Sequence, residues 1–288
     1  MPSRDEISYF GAGPAPLPTP VIEQSAAALI NFESTGLGLS EISHRSPTAN
    51  KILADSKTAL ATLYDIPLDG EDGYDILFMQ GGGSGEFSAS VQACVGWWVE
   101  RRRRRAVAEL GEDKTDAVLE RVRKEVKEEL KVDYLVTGSW SLKASQEASR
   151  LIGARYVNVA ADARETNNGK FGMVPAEDGW KLSARGRSAM CYFCDNETVD
   201  GVEFPAFPSV LREQTDEERV VVADMSSNFV SRKIDVRNYG LIFVSFFFPS
   251  MSRTDFAQRG VTTTTNERKK KLMLMTKTTR AAHKKISV

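Results

Sequence analysis

The chain has 288 residues, 41% of them hydrophobic, with 38 Lys and Arg against 39 Asp and Glu for a net charge of −1. This is room for one large α/β domain or two modest ones with a sizeable core, in the composition of an ordinary soluble globular protein. Three cysteines exclude a disulfide framework, Cys191 and Cys194 have no second pair to complete a zinc site, and the apolar run Leu241–Phe248 falls well short of the ~18 residues a membrane span needs.

The amino-terminal Met-Pro-Ser-Arg-Asp-Glu has no hydrophobic signal region, so a cytoplasmic address and no membrane partner are expected. The charge is unevenly spread: residues 244–288 hold 10 Lys and Arg against 2 Asp and Glu, a basic tail on an acidic body. A tail of that kind suits an anionic partner or lies outside the selected fold.

Residues 1–20 contain Tyr9-Phe-Gly-Ala-Gly-Pro-Ala-Pro-Leu-Pro18, too rich in Gly and Pro for regular structure, and predict an extended arm. Val21, Ile22, Ala26 and Leu29 fall near helical spacing and predict a helix over 20–32. A Gly/Ser loop over 35–45 and a second helix over 48–64 follow. Asp75–Met79 reads as a short buried strand, and Gly81-Gly-Gly-Ser-Gly85 turns it into a helix starting near Glu86, the opening unit of an α/β sheet.

Residues 100–131 hold 11 Lys and Arg against 9 Asp and Glu, with Val118, Val122, Val126 and Leu130 recurring every fourth position. The pattern predicts a charged helical excursion on the surface. Its run Arg101–Arg105 is balanced by nearby acids, which favours a solvated helix over a nucleic-acid contact. Strands are predicted at 133–137, 155–159, 189–194 and 219–223, with a helix over 141–152. Cys191 and Cys194 fall on one of these strands. The alternation implies a mainly parallel sheet with helices on both faces.

The glycine turn lets backbone amides approach an anion, and the helix after it offers unpaired N–H groups and a positive dipole end. It lacks the Lys-Ser/Thr of a Walker loop, and Glu86 stands where a dinucleotide fingerprint needs its third glycine. Phosphate binding and simple close packing both account for it. Likewise Trp140 reads as a core tryptophan or a stacking platform, and Asp224 as a turn residue or a catalytic carboxylate.

Six motifs occur in order: Tyr9–Pro18, Glu41-Ile-Ser-His-Arg-Ser46, Gln80-Gly-Gly-Gly-Ser-Gly-Glu-Phe87, Val136-Thr-Gly-Ser-Trp-Ser-Leu-Lys-Ala144, Asn196-Glu-Thr-Val-Asp-Gly-Val-Glu-Phe204 and Ala223-Asp-Met-Ser-Ser227. Together they closely resemble the phosphoserine aminotransferase family, over about Ser8–Phe243 with the charged excursion as an interruption. The resemblance implies an α/β fold, the aspartate-aminotransferase-like large domain of fold type I over 21–243, and pyridoxal 5'-phosphate as cofactor. It implies glutamate and 3-phosphohydroxypyruvate as substrates, a homodimer, and no nucleic-acid partner.

By the same resemblance Gly83 and Ser84 hold the cofactor phosphate, Trp140 stacks on its ring, Thr198 contacts it and Asp224 pairs with the ring nitrogen. His44 and Arg45 match the substrate pocket, where a planar guanidinium suits a carboxylate or phosphate. The family often has serine where Ala12 stands here.

After Phe243 the resemblance stops. The family continues within a few residues to Ala-Gln-Lys-Asn, whose lysine forms the Schiff base, whereas this chain reads Val-Ser-Phe-Phe-Phe-Pro-Ser and its next lysine after Lys233 is Lys269. The reading is a truncated family member without its Schiff-base lysine or small carboxy-terminal domain, inactive as a transaminase, with residues 244–288 an unrelated, disordered tail. Val-Ser can be encoded by GTAAGT or GTGAGT, the usual start of an intron, so an alternative is a noncatalytic product or decoy subunit from a retained intron.

Overall fold

Successive side chains along the central strands point to opposite faces and are buried on both, β4 along its whole length, so the sheet is covered on each side. The computed structural model describes residues 2–9, 16–68, 73–212, 219–246 and 271–277. Ala12, residues 247–270 and residues 278–288 lie outside that set.

Two helices, α1 (Thr19–Ile30) and α2 (Pro47–Tyr64), precede the first strand, β1 (Tyr74–Gln80). Ser46 caps α2 by accepting from the Ala49 N–H at 3.1 Å, and Pro47 occupies its first position, where a missing N–H costs nothing. Next come α3 (Gly82–Leu110), α4 (Thr115–Glu129), β2 (Lys131–Val136), α5 (Ser139–Ile152), β3 (Val157–Asp162) and β4 (Ser188–Cys194). A small hairpin of β5 (Asn196–Glu197) and β6 (Val202–Glu203) leads on to β7 (Val220–Asp224) and β8 (Leu241–Phe246).

The main sheet has the order β1-β9-β8-β7-β4-β2-β3, where β9 is Lys271–Lys277. All its strands run parallel except β9, which pairs antiparallel with β1 on one side and β8 on the other. Met190, Tyr192, Val222, Leu241 and Phe243 point to the face covered by α3 and α5, where Phe87, Val91, Trp98, Ala144 and Ala148 meet them. Their neighbours Cys191, Phe193, Val221, Ala223, Ile242 and Val244 point to the other face, against Leu60, Ala61 and Tyr64 of α2 and the loop residues Phe204, Met225 and Tyr239. Cys191 and Cys194 are therefore strand residues, and burial pushes both thiols up.

Residues 100–131 form the last turns of α3 and the whole of α4. Val118 and Val122 pack on Ala106 of α3, whereas Leu130, just past the end of α4, joins the core against the sheet. On the outer side Arg103 and Arg104 bind Glu100 at 2.7 and 2.8 Å, and the Arg103 bond contributes most to holding that carboxyl down at about 2. Among the described residues no helix is long and apolar enough to cross a membrane.

Two expectations need correction. The helix expected from Glu86 starts at Gly82: with Gly81 at φ 133° and Gly82 at φ 60° the turn is already complete, and Gly85 N–H reaches Gly81 O at 3.1 Å as the first helical bond. The tail is also not wholly outside the fold. Val244–Phe246 prolong β8, and Lys271–Lys277 fills the place between β8 and β1. Average composition concealed the run Leu272-Met-Leu-Met275, and backbone groups of β1 and β8 would otherwise lack ladder partners.

Replacing Leu274, which pairs with Phe243 and with Leu77, by proline removes a donor from the middle of the ladder. Leu274→Pro is expected to accelerate amide hydrogen exchange across Tyr74–Gln80 and Leu241–Phe246 by at least ten-fold, while the β2–β3 pair stays protected.

Candidate functional site

The parallel strands β1, β2, β4 and β7 deliver their following turns to one edge of the sheet, the carboxy-terminal edge where open α/β sheets place ligands. The amino ends of the two long helices α3 and α5 reach this edge, and they are treated differently. At α5 the protein supplies its own anions. Glu197 accepts from the Trp140 and Ser141 N–H groups, both at 2.8 Å, and Asp200 accepts from the Ser139 N–H at 2.6 Å and its hydroxyl at 3.2 Å. A β-carbon at Gly138 would stand 2.5 Å from the Glu197 side chain, so only glycine fits before this cap.

Among the described residues no side chain is seen to accept from the first N–H groups of α3, whose N-cap is Gly81. Gly83 stands there, and a β-carbon on it would lie 3.8 Å from that of Ser245 at the end of β8. Ser245 N–H donates to the Ser226 hydroxyl at 2.9 Å, and Ser226 N–H donates to the Asp224 carboxylate at 2.9 Å. Two hydrogen bonds thus link Ser245, which lies beside the glycine turn, to Asp224.

Asp224 lies where β7 ends. Its carboxylate has neutral donors, the Ser226 N–H and the Tyr192 hydroxyl at 3.5 Å. Burial raises its pKa above the ordinary 3.8, against the lowering effect of those bonds. Trp140 is held by its indole N–H, which donates to the Thr198 hydroxyl at 3.1 Å, and its ring is 45% exposed, so it is not a core residue. The Lys143 ammonium sits 4.7 Å from the ring centre. Thr137 Oγ1, buried at the end of β2, has no hydrogen-bond partner among the described residues.

The turns themselves are stitched together. Asp195 N–H donates to Asp224 O at 2.9 Å, Met225 N–H to Phe243 O at 3.0 Å, and the Asn196 amide to the Ser227 hydroxyl at 3.0 Å. Asp195 accepts from Arg232 and Asn228, both at 2.5 Å, and burial still raises its carboxyl. The structure therefore brings Gly83, Ser84, Trp140, Thr198 and Asp224 to one edge. His44 and Arg45 stand exposed before α2, with no contact to that set among the described residues.

No family model matches the chain. A phosphoserine aminotransferase of Saccharomyces cerevisiae is 41% identical over 240 residues, 83% of this chain and 53% of the yeast protein. One from Drosophila melanogaster is 36% identical over 237 residues, 82% and 52% of the two chains. The chain belongs to the phosphoserine aminotransferase family.

Solved family members agree. A PLP-bound phosphoserine aminotransferase from Trichomonas vaginalis matches with TM-score 0.61 and 28% identity, over 93% of this chain and 57% of that one. The enzyme from Bacillus circulans subsp. alkalophilus gives 0.63 and 25%, over 93% and 56%. Pyridoxal phosphate is thus the family cofactor, and the family fold is the α/β sheet described above. The chain spans about half the length of the curated relatives it matches.

Glu197, Asp200, Tyr192, Ser226 and Ser245 were not singled out by the sequence. Glu197 and Asp200 lie inside the motif that yielded Thr198, but nothing in their spacing announces that they cap a helix from another part of the chain.

Gly138→Ala is expected to cost about 1–3 kcal/mol in urea unfolding, because the methyl displaces the Glu197 carboxylate. Gly96→Ala, on the open side of α3 with nothing within 4 Å, gains up to ~1 kcal/mol instead. The raised Asp224 carboxyl means the folded state holds this proton more tightly than the unfolded state. Stability therefore falls as pH rises from about 3.8 through the raised folded value, and Asp224→Asn is expected to reduce that slope in pH-dependent denaturation.

Proposed function

We propose that this chain is a phosphoserine aminotransferase derivative that binds pyridoxal 5'-phosphate reversibly and does not catalyse transamination. Supporting it most directly is the nearness at one sheet edge of the α3 amino end, where Gly83 lies beside Ser245, to the buried Asp224 carboxylate, which is linked through Ser226 to Ser245 and has neutral donors among the described residues.

The residues present fit the cofactor. The N–H groups at Gly83 and Ser84 would receive the phosphate, favoured by the positive end of the α3 dipole. Asp224 would hold the protonated ring nitrogen, a cation that offsets the burial now raising its pKa. Trp140, oriented by Thr198, would cover a ring face. When bound, the cofactor supplies an electron sink for bonds to the substrate α-carbon. His44 and Arg45 would receive the carboxylate and phosphate of glutamate and 3-phosphohydroxypyruvate.

Moving the α-carbon proton needs a general base beside it. In the family this is the lysine following the strand that β8 represents, and here that stretch reads Val244-Ser-Phe-Phe-Phe-Pro-Ser250. A second reading is a noncatalytic subunit that pairs with an intact copy, the product of a retained intron. The closed sheet, with Lys271–Lys277 between β1 and β8, favours a folded chain over debris. Titrating the chain into intact enzyme and finding no change in activity would remove this second reading.

Equilibrium dialysis tests the main reading. Pyridoxal phosphate is expected to bind and to leave completely on dialysis, with none fixed by borohydride, and Ser84→Asp or Asp224→Asn is expected to weaken binding at least ten-fold. Cofactor trapped covalently on Lys143 or any other lysine would overturn the assignment, as would unchanged binding in both variants.

A further inference from the structure

Two buried tyrosines stand side by side in the sheet below Asp224, and their hydroxyl groups are placed unequally. Tyr134 of β2 and Tyr192 of β4 are paired across the ladder with ring centres 5.2 Å apart, and they are 0% and 1% exposed. Phe87 of α3 meets the Tyr192 ring edge-on at 5.6 Å, and Phe243 of β8 stacks on it at 6.2 Å with the planes 22° apart. Aromatic neighbours on three elements therefore clamp this ring, and its hydroxyl moves only if the core repacks.

Among the described residues the Tyr192 hydroxyl has the Asp224 carboxylate as its hydrogen-bond partner, whereas the Tyr134 hydroxyl has none. Asp224 Oδ1 accepts from the Ser226 N–H at 2.9 Å and Oδ2 from Tyr192 at 3.5 Å, so each carboxylate oxygen has its own neutral donor. The titratable groups facing the pair are Cys194 at the end of β4, Asp195 after it, Glu197 in the hairpin and Tyr134 in β2, while α3 and β8 meet Tyr192 with Phe87 and Phe243. Burial and the Asp195 charge raise the Asp224 carboxyl, and the Ser226 and Tyr192 bonds oppose them. Burial also pushes the Tyr192 phenol well up, so it stays a neutral donor over the range in which Asp224 ionises.

We propose that Tyr192 is a positioning residue for the cofactor, its clamped hydroxyl fixing the Asp224 carboxylate as the partner of a protonated ring nitrogen. The assignment rests on pyridoxal phosphate binding at Asp224, and it names the side chain that prepares that carboxylate. An ionised carboxylate has about four acceptor sites, so two neutral donors steady it and still leave room for a ring N–H. A charged donor in the place of Tyr192 would instead compete with the ring for the same negative charge.

Equilibrium dialysis of pyridoxal 5'-phosphate against the full chain across the acid pH range tests the proposal, with wild type, Y192F and Y134F compared. An NMR titration of the Asp224 carboxyl carbon in the cofactor-free chain runs in parallel, its signal identified as the one D224N lacks. Y192F keeps the ring and removes a donor from Asp224, which makes that carboxyl harder to ionise. Acid-side loss of binding and the carboxyl titration are both expected to move up by ~0.5 pH unit, a roughly three-fold weaker binding on that limb. The cofactor's own groups titrate alike with every variant, so the difference between curves belongs to the protein. Y134F removes a hydroxyl from the same aromatic layer that has no partner among the described residues, and it is expected to leave both curves in place. Wild-type binding with equal curves in Y192F and Y134F, a downward shift in Y192F, or a Y192F chain that circular dichroism shows unfolded would overturn this assignment alone. Absence of binding in wild type would overturn the cofactor reading itself, and the role of Tyr192 with it.

Discussion

The carboxy-terminal edge of the sheet is organised by the closure of the α5 amino end by Glu197 and Asp200. A helix terminus with free N–H groups attracts whichever anion is nearest. Because the hairpin after β4 supplies two carboxylates there, the α5 terminus is satisfied from within, whereas no such carboxylate meets the α3 terminus among the described residues. The same bonds fix the start of α5 and so the position of Trp140, whose indole is then set by Thr198 on the same hairpin. One turn of six residues, Asn196–Gly201, thereby both satisfies a helix end and fixes where the Trp140 ring stands.

The strands were legible in the sequence because both faces of this sheet are covered. Buried parallel strands write themselves as short apolar runs, so Ser188–Cys194 and Val220–Asp224 fall within a residue of expectation. Legibility failed where function of a residue depends on partners distant in sequence. The caps Glu197 and Asp200 are ordinary acids in a turn until α5 is set beside them. The start of α3 was misplaced because glycine has weak helix propensity, while the structure spends three glycines there on conformation and close approach. Strand β9 was missed because a charged tail was judged by its average.

The excursion at 100–131 shows how a charged segment becomes architecture. Charge alone reads as a solvated surface, and Arg103 and Arg104 conform to that. Arg102 does not: stacking on Trp98 and bonding to Gly186 make it a strut between α3 and the turn before β4. α3 therefore runs as one continuous rod, roughly 43 Å long at 1.5 Å per residue, with a glycine turn at one end and an arginine cluster towards the other.

The place of β9 has a consequence in time. Gln80 pairs with Lys271, so β1 cannot join the sheet until the chain roughly 190 residues later has been made. At ~5–20 residues per second, synthesis leaves Tyr74–Gln80 waiting for roughly 10–40 s, its apolar side chains without the neighbour that will complete the sheet. The nascent chain thus passes through an interval in which its earliest strand has an unpaired edge, and the length of that interval is set by the sequence distance between two strands that lie side by side in the finished protein.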